Sequence, residues 1–258
     1  MDGQQDYRAL SGTEYDSQWD RLSDFIIHNP GARHRRRNSQ KVLQHLRPGS
    51  VLDVGCGTGD LILLMRDLFT EQGHTEVDWV GADIAAATVE SLGDEMPWAD
   101  FKVFDITEQK MDRQFDLVTC CEVIEHLDDA ETALKNLADL VKPGGYLFIS
   151  CPTGKIFQTE RLIGHIYHPK PDDLRRWGTQ AGLVSEQTIQ WGWPMYLVLK
   201  NLTNVNTDYT VKHFGSGAYS PLKVLINKVA YWGTYPSFQS PWSCQLFWLF
   251  KKPQKELG

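Results

Sequence analysis

From residue 50 onward, short apolar runs alternate with stretches whose apolar residues recur at helical spacing, the pattern of a parallel sheet covered on both faces. Five strands are predicted before residue 155: SVLDVG at 50–55, VDWVGADI at 77–84, FKVFDIT at 101–107, FDLVTCC at 115–121 and GYLFISCP at 145–152. Lys142-Pro143-Gly144-Gly145 reads as the turn into the fifth. PKPDDLRRWGTQAG, 169–182, predicts a helix with a glycine stop, followed by a strand at 183–191, and CQLFWLFKK at 244–252 predicts the last strand. Ahead of the alternation, Trp19, Leu22, Phe25 and Ile26 share a helical face that Asn29-Pro30-Gly31 stops. RHRRR at 33–37 opens a second helix carrying Val42, Leu43 and Leu46, and Arg47-Pro48-Gly49 ends it. This predicts an N-terminal helical lid segment at 1–48 and one α/β domain at 49–258. Residues 193–240, too long for a plain connection, read as a substrate-cap insertion within it.

Composition narrows the picture without changing it. With 258 residues, 41% of them apolar, the chain can bury a full core, and a net charge of -7 argues against a broad nucleic-acid surface. Five cysteines, at 56, 120, 121, 151 and 244, form no CxxC pair and suggest reduced thiols in a cytoplasmic protein. Cys120, Cys121 and Cys151 read as small buried residues at strand ends rather than nucleophiles. The polar, acidic N-terminus is unlike a signal peptide, and no apolar run approaches the roughly 18 residues of a transmembrane helix, so at most peripheral membrane contact is expected.

The candidate chemistry starts at VLDVGCGTGDL, 51–61, where glycines 55, 57 and 59 link a strand to a helix. Such a turn lets a ligand approach the backbone and the free N–H groups of the helix. The spacing is GxGxG, neither the GxxxxGK[ST] of a triphosphate loop nor the GxGxxG of a dinucleotide site. Asp53, two residues before the first glycine, would repel a pyrophosphate and suits a cationic ligand such as S-adenosylmethionine. Asp83 closes the second strand, where an acid can take ribose hydroxyls, and Asp105 closes the third, within reach of an adenine amino group. One acid at each of three consecutive strand ends argues for a cationic adenosyl donor.

VLDVGCGTGDL, VGADI, FKVFDIT, FDLVTCCEVIEHL and LVKPGGYLFISCP resemble, in order and spacing, the successive motifs of class I S-adenosylmethionine-dependent methyltransferases. The likeness covers roughly residues 48–190 and is nearest the broad type 11/12 group that includes ubiquinone-pathway O-methyltransferases. It implies a Rossmann-like α/β fold: a seven-stranded, mostly parallel sheet with helices on both faces and an antiparallel last strand. It also implies that Asp53, Gly55, Cys56, Gly57 and Gly59 hold the methionine part of the donor, and Asp83 with Ile84 the ribose. Asp105 and Ile106 would frame the adenine, and Cys121 and Glu122 would line the cleft. A nicotinamide-dependent oxidoreductase, which the GxGxG spacing and Asp53 oppose, and a non-catalytic cofactor-binding subunit are the alternatives.

Methyl transfer from a sulfonium is an in-line displacement, in which a base is needed only for a protonated acceptor. Glu122, Glu125 and His126 in CEVIEHLDD sit at i, i+3 and i+4, which would put them on one side of a helical turn. His126 or Glu125 could serve as general base, with His126 favoured by its ordinary pKa, and His165 is a further active-site candidate. Alternatively Glu122, Glu125 and His126, with His165 or His168, could hold a divalent metal, which is not favoured; ExxEH is similar to metal-binding sets of some ubiquinone-pathway and small-RNA methyltransferases. A structural role at a helix N-terminus is the third reading.

The acceptor is expected to be a small molecule or glycan, methylated on a hydroxyl oxygen. Residues 191–250 hold 14 of the 29 aromatics, which suits an apolar or ring-bearing acceptor, although core packing explains aromatics equally well. RHRRR reads either as a solvated helix face or as a clamp for a phosphorylated acceptor. A monomer or homodimer is expected.

Overall fold

The computed structural model describes residues 11–215 and 218–254, apart from the side chains of 16–23. The first ten residues of the expected 1–48 segment, and the side chains of Trp19 and Leu22, lie outside the described residues.

The strands are β1 (Ser50–Val54), β2 (Asp78–Asp83), β3 (Asp100–Val103), β4 (Phe115–Cys121), β5 (Val141–Pro152), β6 (Val184–Trp191) and β7 (Gln245–Lys251). They form one sheet in the order β3-β2-β1-β4-β5-β7-β6. β1 to β5 run parallel, and β7 lies antiparallel between β5 and β6. The expected seven-stranded, mostly parallel sheet is what forms.

Every residue of β1 is buried, as a strand covered on both faces requires. Alternation assigns the faces: Leu52 and Val54 of β1 and Leu147 and Ile149 of β5 join one apolar cluster, and Val51 and Phe148 join the other. Helices α3 (Asp60–Glu71) and α4 (Ala86–Glu95) cover the second face, and α5 (Ala130–Asp139) and α7 (Pro171–Gln180) the first. A short α6 (Gln158–Arg161) follows β5.

Before the sheet, α1 (Gly12–His28) and α2 (Pro30–Leu43) form the expected broken pair. α2 starts ahead of RHRRR because Asn29 caps it, its side chain accepting from the Gly31 and Ala32 amides, with Pro30 in the first turn. The insertion folds as α8 (Met195–Thr203), α9 (Thr207–Phe214) and α10 (Pro221–Thr234), and α10 packs on α2.

Two strand boundaries differ from expectation. Lys142-Pro143-Gly144-Gly145 is not a turn before β5 but lies inside it, as an irregularity where β4 pairing jumps from Val141 to Tyr146. Gly144 takes φ +83°, so the chain bulges without leaving the sheet. β3 stops at Val103, and Asp105 lies in the following loop rather than closing a strand. There its Oδ1 accepts from the Thr107 amide (2.8 Å) and hydroxyl (2.6 Å), a local turn that competes with strand pairing.

Candidate functional site

The carboxyl ends of β1, β2 and β4 converge on the glycine turn. Gly55, Gly57 and Gly59 all take positive φ, at +70, +49 and +74°, which explains the GxGxG spacing in backbone terms. At Gly55 a side chain would also collide with Val123, just past β4. The amides of Gly55 and Cys56 both donate to the Ala82 carbonyl, at 2.7 and 3.1 Å, tying the turn to β2. Asp83 completes the tie: Oδ2 accepts from the Gly57 amide (2.8 Å) and Oδ1 from Ala85 (3.0 Å).

Asp53 is buried, and its register partner on β4 is Thr119, whose hydroxyl donates to Asp53 Oδ1 at 2.6 Å. Burial pushes the Asp53 carboxyl up to about 7, against the Thr119 hydrogen bond and with help from the Asp83 charge. A desolvated carboxyl at this pKa gains most from a cation placed beside it. Cys56 and Cys121 are thiols pushed up by burial and by the Asp53 charge, so neither is a nucleophile. All five cysteines are free.

The segment after β4 departs from the expected single helical face. Glu122 adopts φ +58°, a left-handed conformation that is strained for a residue with a long side chain, and only Ile124–His126 form a turn, of 3-10 type. Glu122 thereby leaves the turn that carries Glu125 and His126. Its Oε1 accepts from the Ser150 hydroxyl (2.9 Å) and Gln245 amide (2.6 Å), and Oε2 faces Arg35 Nε at 3.5 Å. Burial opposes the Arg35 charge, but Glu122, Tyr196, Glu125 and Cys121 together outweigh it and the pKa of Arg35 is raised.

Glu125 and His126 instead meet the histidines of GHIYHP. The His126 and His165 rings are 4.7 Å apart, and His165 Nδ1 bonds His168 Nε2 at 2.9 Å. The Glu125 backbone carbonyl accepts from the amides of Ile166 and Tyr167, which anchors this loop. Glu125 is fully buried, and neither carboxylate oxygen has a hydrogen-bond partner. Burial, then the Glu122 charge, pushes its carboxyl well above the usual range. His126 does not keep the ordinary pKa expected of it: burial pushes it down to about 4, its ring bonds the Gly164 carbonyl, and its Nδ1 is unpartnered. Beyond it, Glu160 bridges His168 at 3.9 Å and Lys200 at 2.6 Å.

For a metal, the ligand atoms of Glu125, His126 and His165 lie within 4.8 Å of one another, as do those of Glu160, His165 and His168. Glu122, expected in the set, is in neither group. His165 is shared by both.

Tyr15 of α1, which the sequence reading did not single out, sets its ring edge-on to His126 at 5.8 Å. Gly12 sits so close over the Ile84 carbonyl that a side chain would collide with it. α1 thus lies across the end of β2. Two open cavities, of about 460 and 550 Å³, lie elsewhere, the first beside 127–131 and 166–177 and the second beside α2 and 235–239.

RHRRR is neither a solvated face nor a clamp, because its side chains point apart. Arg33 stacks on Tyr231 (3.8 Å), Arg35 faces Glu122, Arg36 pairs with Asp60 (2.9 Å), and Arg37 stacks on Tyr235 (4.2 Å). His34 is buried between Trp191 and Tyr231. Thr119 had a visible signal, a polar residue in a buried strand. Arg35 and Tyr15 had none, since helix packing alone brings them to the site.

A methyltransferase domain family matches residues 31–188. Among relatives, the ubiquinone biosynthesis O-methyltransferase of Pseudomonas fluorescens (strain SBW25) is 28% identical over 218 residues, 75% of this chain and 90% of that protein. The protein of that name from Pseudomonas paraeruginosa (strain DSM 24068 / PA7) is 30% identical over 220 residues, with the same coverage. Among solved structures, the N-methyltransferase NodS of Bradyrhizobium japonicum WM9, in complex with S-adenosyl-L-homocysteine, superposes with a TM-score of 0.55 at 18% identity, covering 94% of this chain and all of that one. The cyclase SpnF superposes at 0.60 with 14% identity, covering 96% and 99%.

Proposed function

Because the chain belongs to the class I S-adenosylmethionine-dependent methyltransferases, we propose that it methylates a hydroxyl oxygen of a small-molecule or glycan acceptor, with His126 as general base. One observation carries this reading: His126 is a desolvated ring that bonds the Gly164 carbonyl and leaves Nδ1 unpartnered. In the step, the acceptor oxygen bonds the donor methyl carbon, the sulfur–methyl bond breaks with its electron pair on sulfur, and the hydroxyl proton passes to His126 Nδ1. Asp53, Gly55, Cys56, Gly57 and Gly59 hold the methionine end of the donor, and Asp83 and Ile84 the ribose. Asp105 Oδ2 and Ile106 frame the adenine. Cys121 and Glu122 line the cleft, with Arg35 restraining Glu122. α1 serves as part of a lid and 193–240 as the acceptor cap. We read the enzyme as cytoplasmic and as a monomer or homodimer.

The test uses labelled S-adenosylmethionine with extract of the source organism, followed by identification of the labelled product. His126→Ala should leave S-adenosylhomocysteine affinity unchanged and lower turnover by about 10²–10⁴-fold. Unchanged turnover would remove His126 from the chemistry, and tight cofactor binding without any labelled product would favour a non-catalytic subunit.

One observation favours a second reading, in which Glu125, His126 and His165 hold a divalent cation. Both Glu125 oxygens and His126 Nδ1 are buried orphans, and His165, bonded to His168 through Nδ1, has Nε2 left over. Bound there, a cation would lower the pKa of an acceptor hydroxyl. Metal analysis of the purified protein decides, and full activity after exhaustive chelation rejects it.

A further inference from the structure

Helix α10 turns most of its apolar side chains outward. Leu222, Leu225, Ile226, Val229 and Trp232 are 65, 56, 44, 63 and 64% exposed, whereas Asn227, Tyr231 and Thr234 are buried. The exposed five fall at i, i+3, i+4, i+7 and i+10, a continuous outward stripe. The inward polar groups are satisfied, and the contact with His34 ties the helix to α2 in this orientation. Asn227 Nδ2 donates to the Lys223 carbonyl (2.9 Å), and the Thr234 hydroxyl donates to the Ala230 carbonyl (2.8 Å) and meets His34 Nε2 (2.9 Å). The first two bonds lie within the helix, but rolling the stripe inward would break the Thr234–His34 bond and unstack His34 from Tyr231. Tyr235, Phe238 and Trp242, all exposed, extend the apolar surface beyond the helix.

Charge indicates what covers it. α10 carries Lys223 and Lys228 and no acid, in a chain of net charge -7. Beneath it, α2 sets Arg33 and Arg37 against Tyr231 and Tyr235. Of the neighbouring elements, α2 and α8 carry no acid; α1 carries Glu14, Asp16, Asp20 and Asp24, of which Glu14 caps its own helix and Asp24 accepts from the Tyr219 amide, and α9 carries the exposed Asp208. We infer that α10 docks on an anionic lipid bilayer, its Leu, Ile, Val and Trp side chains in the acyl boundary and its lysines among the headgroups. A second copy of the chain is a poor occupant, because a two-fold contact would face lysines with lysines and offer no acid from the helix. The inference rests on this face alone and is independent of the acceptor chemistry.

Flotation with vesicles tests it. The full chain should float with phosphatidylglycerol–phosphatidylethanolamine vesicles at low salt, and binding should fall by about tenfold on phosphatidylcholine alone or in about 0.5 M salt. Leu225→Glu with Val229→Glu, both at outward positions, should reduce binding to the anionic vesicles by at least about tenfold. Unchanged S-adenosylhomocysteine affinity shows that this variant is folded. Wild type left in the unbound fraction overturns the proposal, as does a double variant that floats equally well. A wild-type dimer that the double variant dissociates would assign the face to self-association and also overturn it.

Discussion

Replacing Asp53 by Asn should abolish a pH dependence of cofactor binding that the wild type shows. Burial lifts the Asp53 carboxyl from its ordinary 3.8 to about 7. Three units correspond to about 4 kcal/mol disfavouring the charged form. Between about pH 4 and pH 7 the folded cofactor-free protein holds a proton there that the unfolded chain has lost. This contribution to stability is therefore full below about pH 4 and lost as pH rises through about 7. A donor ammonium beside Asp53 favours the carboxylate, so binding below pH 7 must release that proton. Affinity for S-adenosylhomocysteine should rise about tenfold from pH 6 to pH 8 and then level. Calorimetry in buffers of different ionisation enthalpy should count close to one proton released at pH 6. Asp53→Asn should bind without this slope and, at pH 8, roughly ten- to a hundredfold more weakly, the worth of a hydrogen bond to a charged group. A wild-type affinity that is flat over this range, or a slope that survives in Asp53→Asn, refutes the assignment.

Two further outcomes are expected. Asp83→Ala removes the acceptor of the Gly57 and Ala85 amides and should abolish measurable S-adenosylhomocysteine binding while the far-ultraviolet circular dichroism stays native; retained micromolar binding would count against its role. Gly178→Ala puts a methyl into the buried Phe250 ring. The overpacking cost of about 1–3 kcal/mol exceeds the helix propensity gained, and Tm should fall by roughly 4 °C; an unchanged or higher Tm would show that Phe250 yields freely.

Much of the sheet was legible because a strand buried on both faces is mostly apolar, and two polar exceptions in SVLDV and FDLVTCC, Asp53 and Thr119, satisfy each other. The glycine turn was legible because left-handed backbone at 55, 57 and 59 constrains residue type. Lys-Pro-Gly-Gly misled because bulge and turn use the same residues, and only the neighbouring strand decides between them. Local periodicity also misplaced Glu122: a single left-handed residue breaks the i, i+3, i+4 relation and turns its carboxylate towards Arg35, Ser150 and Gln245. Glu125, His126 and His165, grouped in the sequence by residue type alone, do meet, although no local pattern joins segments about forty residues apart. RHRRR was opaque for the same reason, since each arginine takes its meaning from a different partner.

β7, the last of the described strands to be made, lies inside the sheet between β5 and β6. While the ribosome still holds residues 245–251, β6 has no strand to pair with, and the helical insertion ahead of β7 must be folded or held as a loop. Closure of the sheet is therefore a late event with long sequence separations, and the nascent protein presents the β5 edge until it occurs. Truncations that stop short of β7 should yield chains captured by chaperones rather than smaller working enzymes.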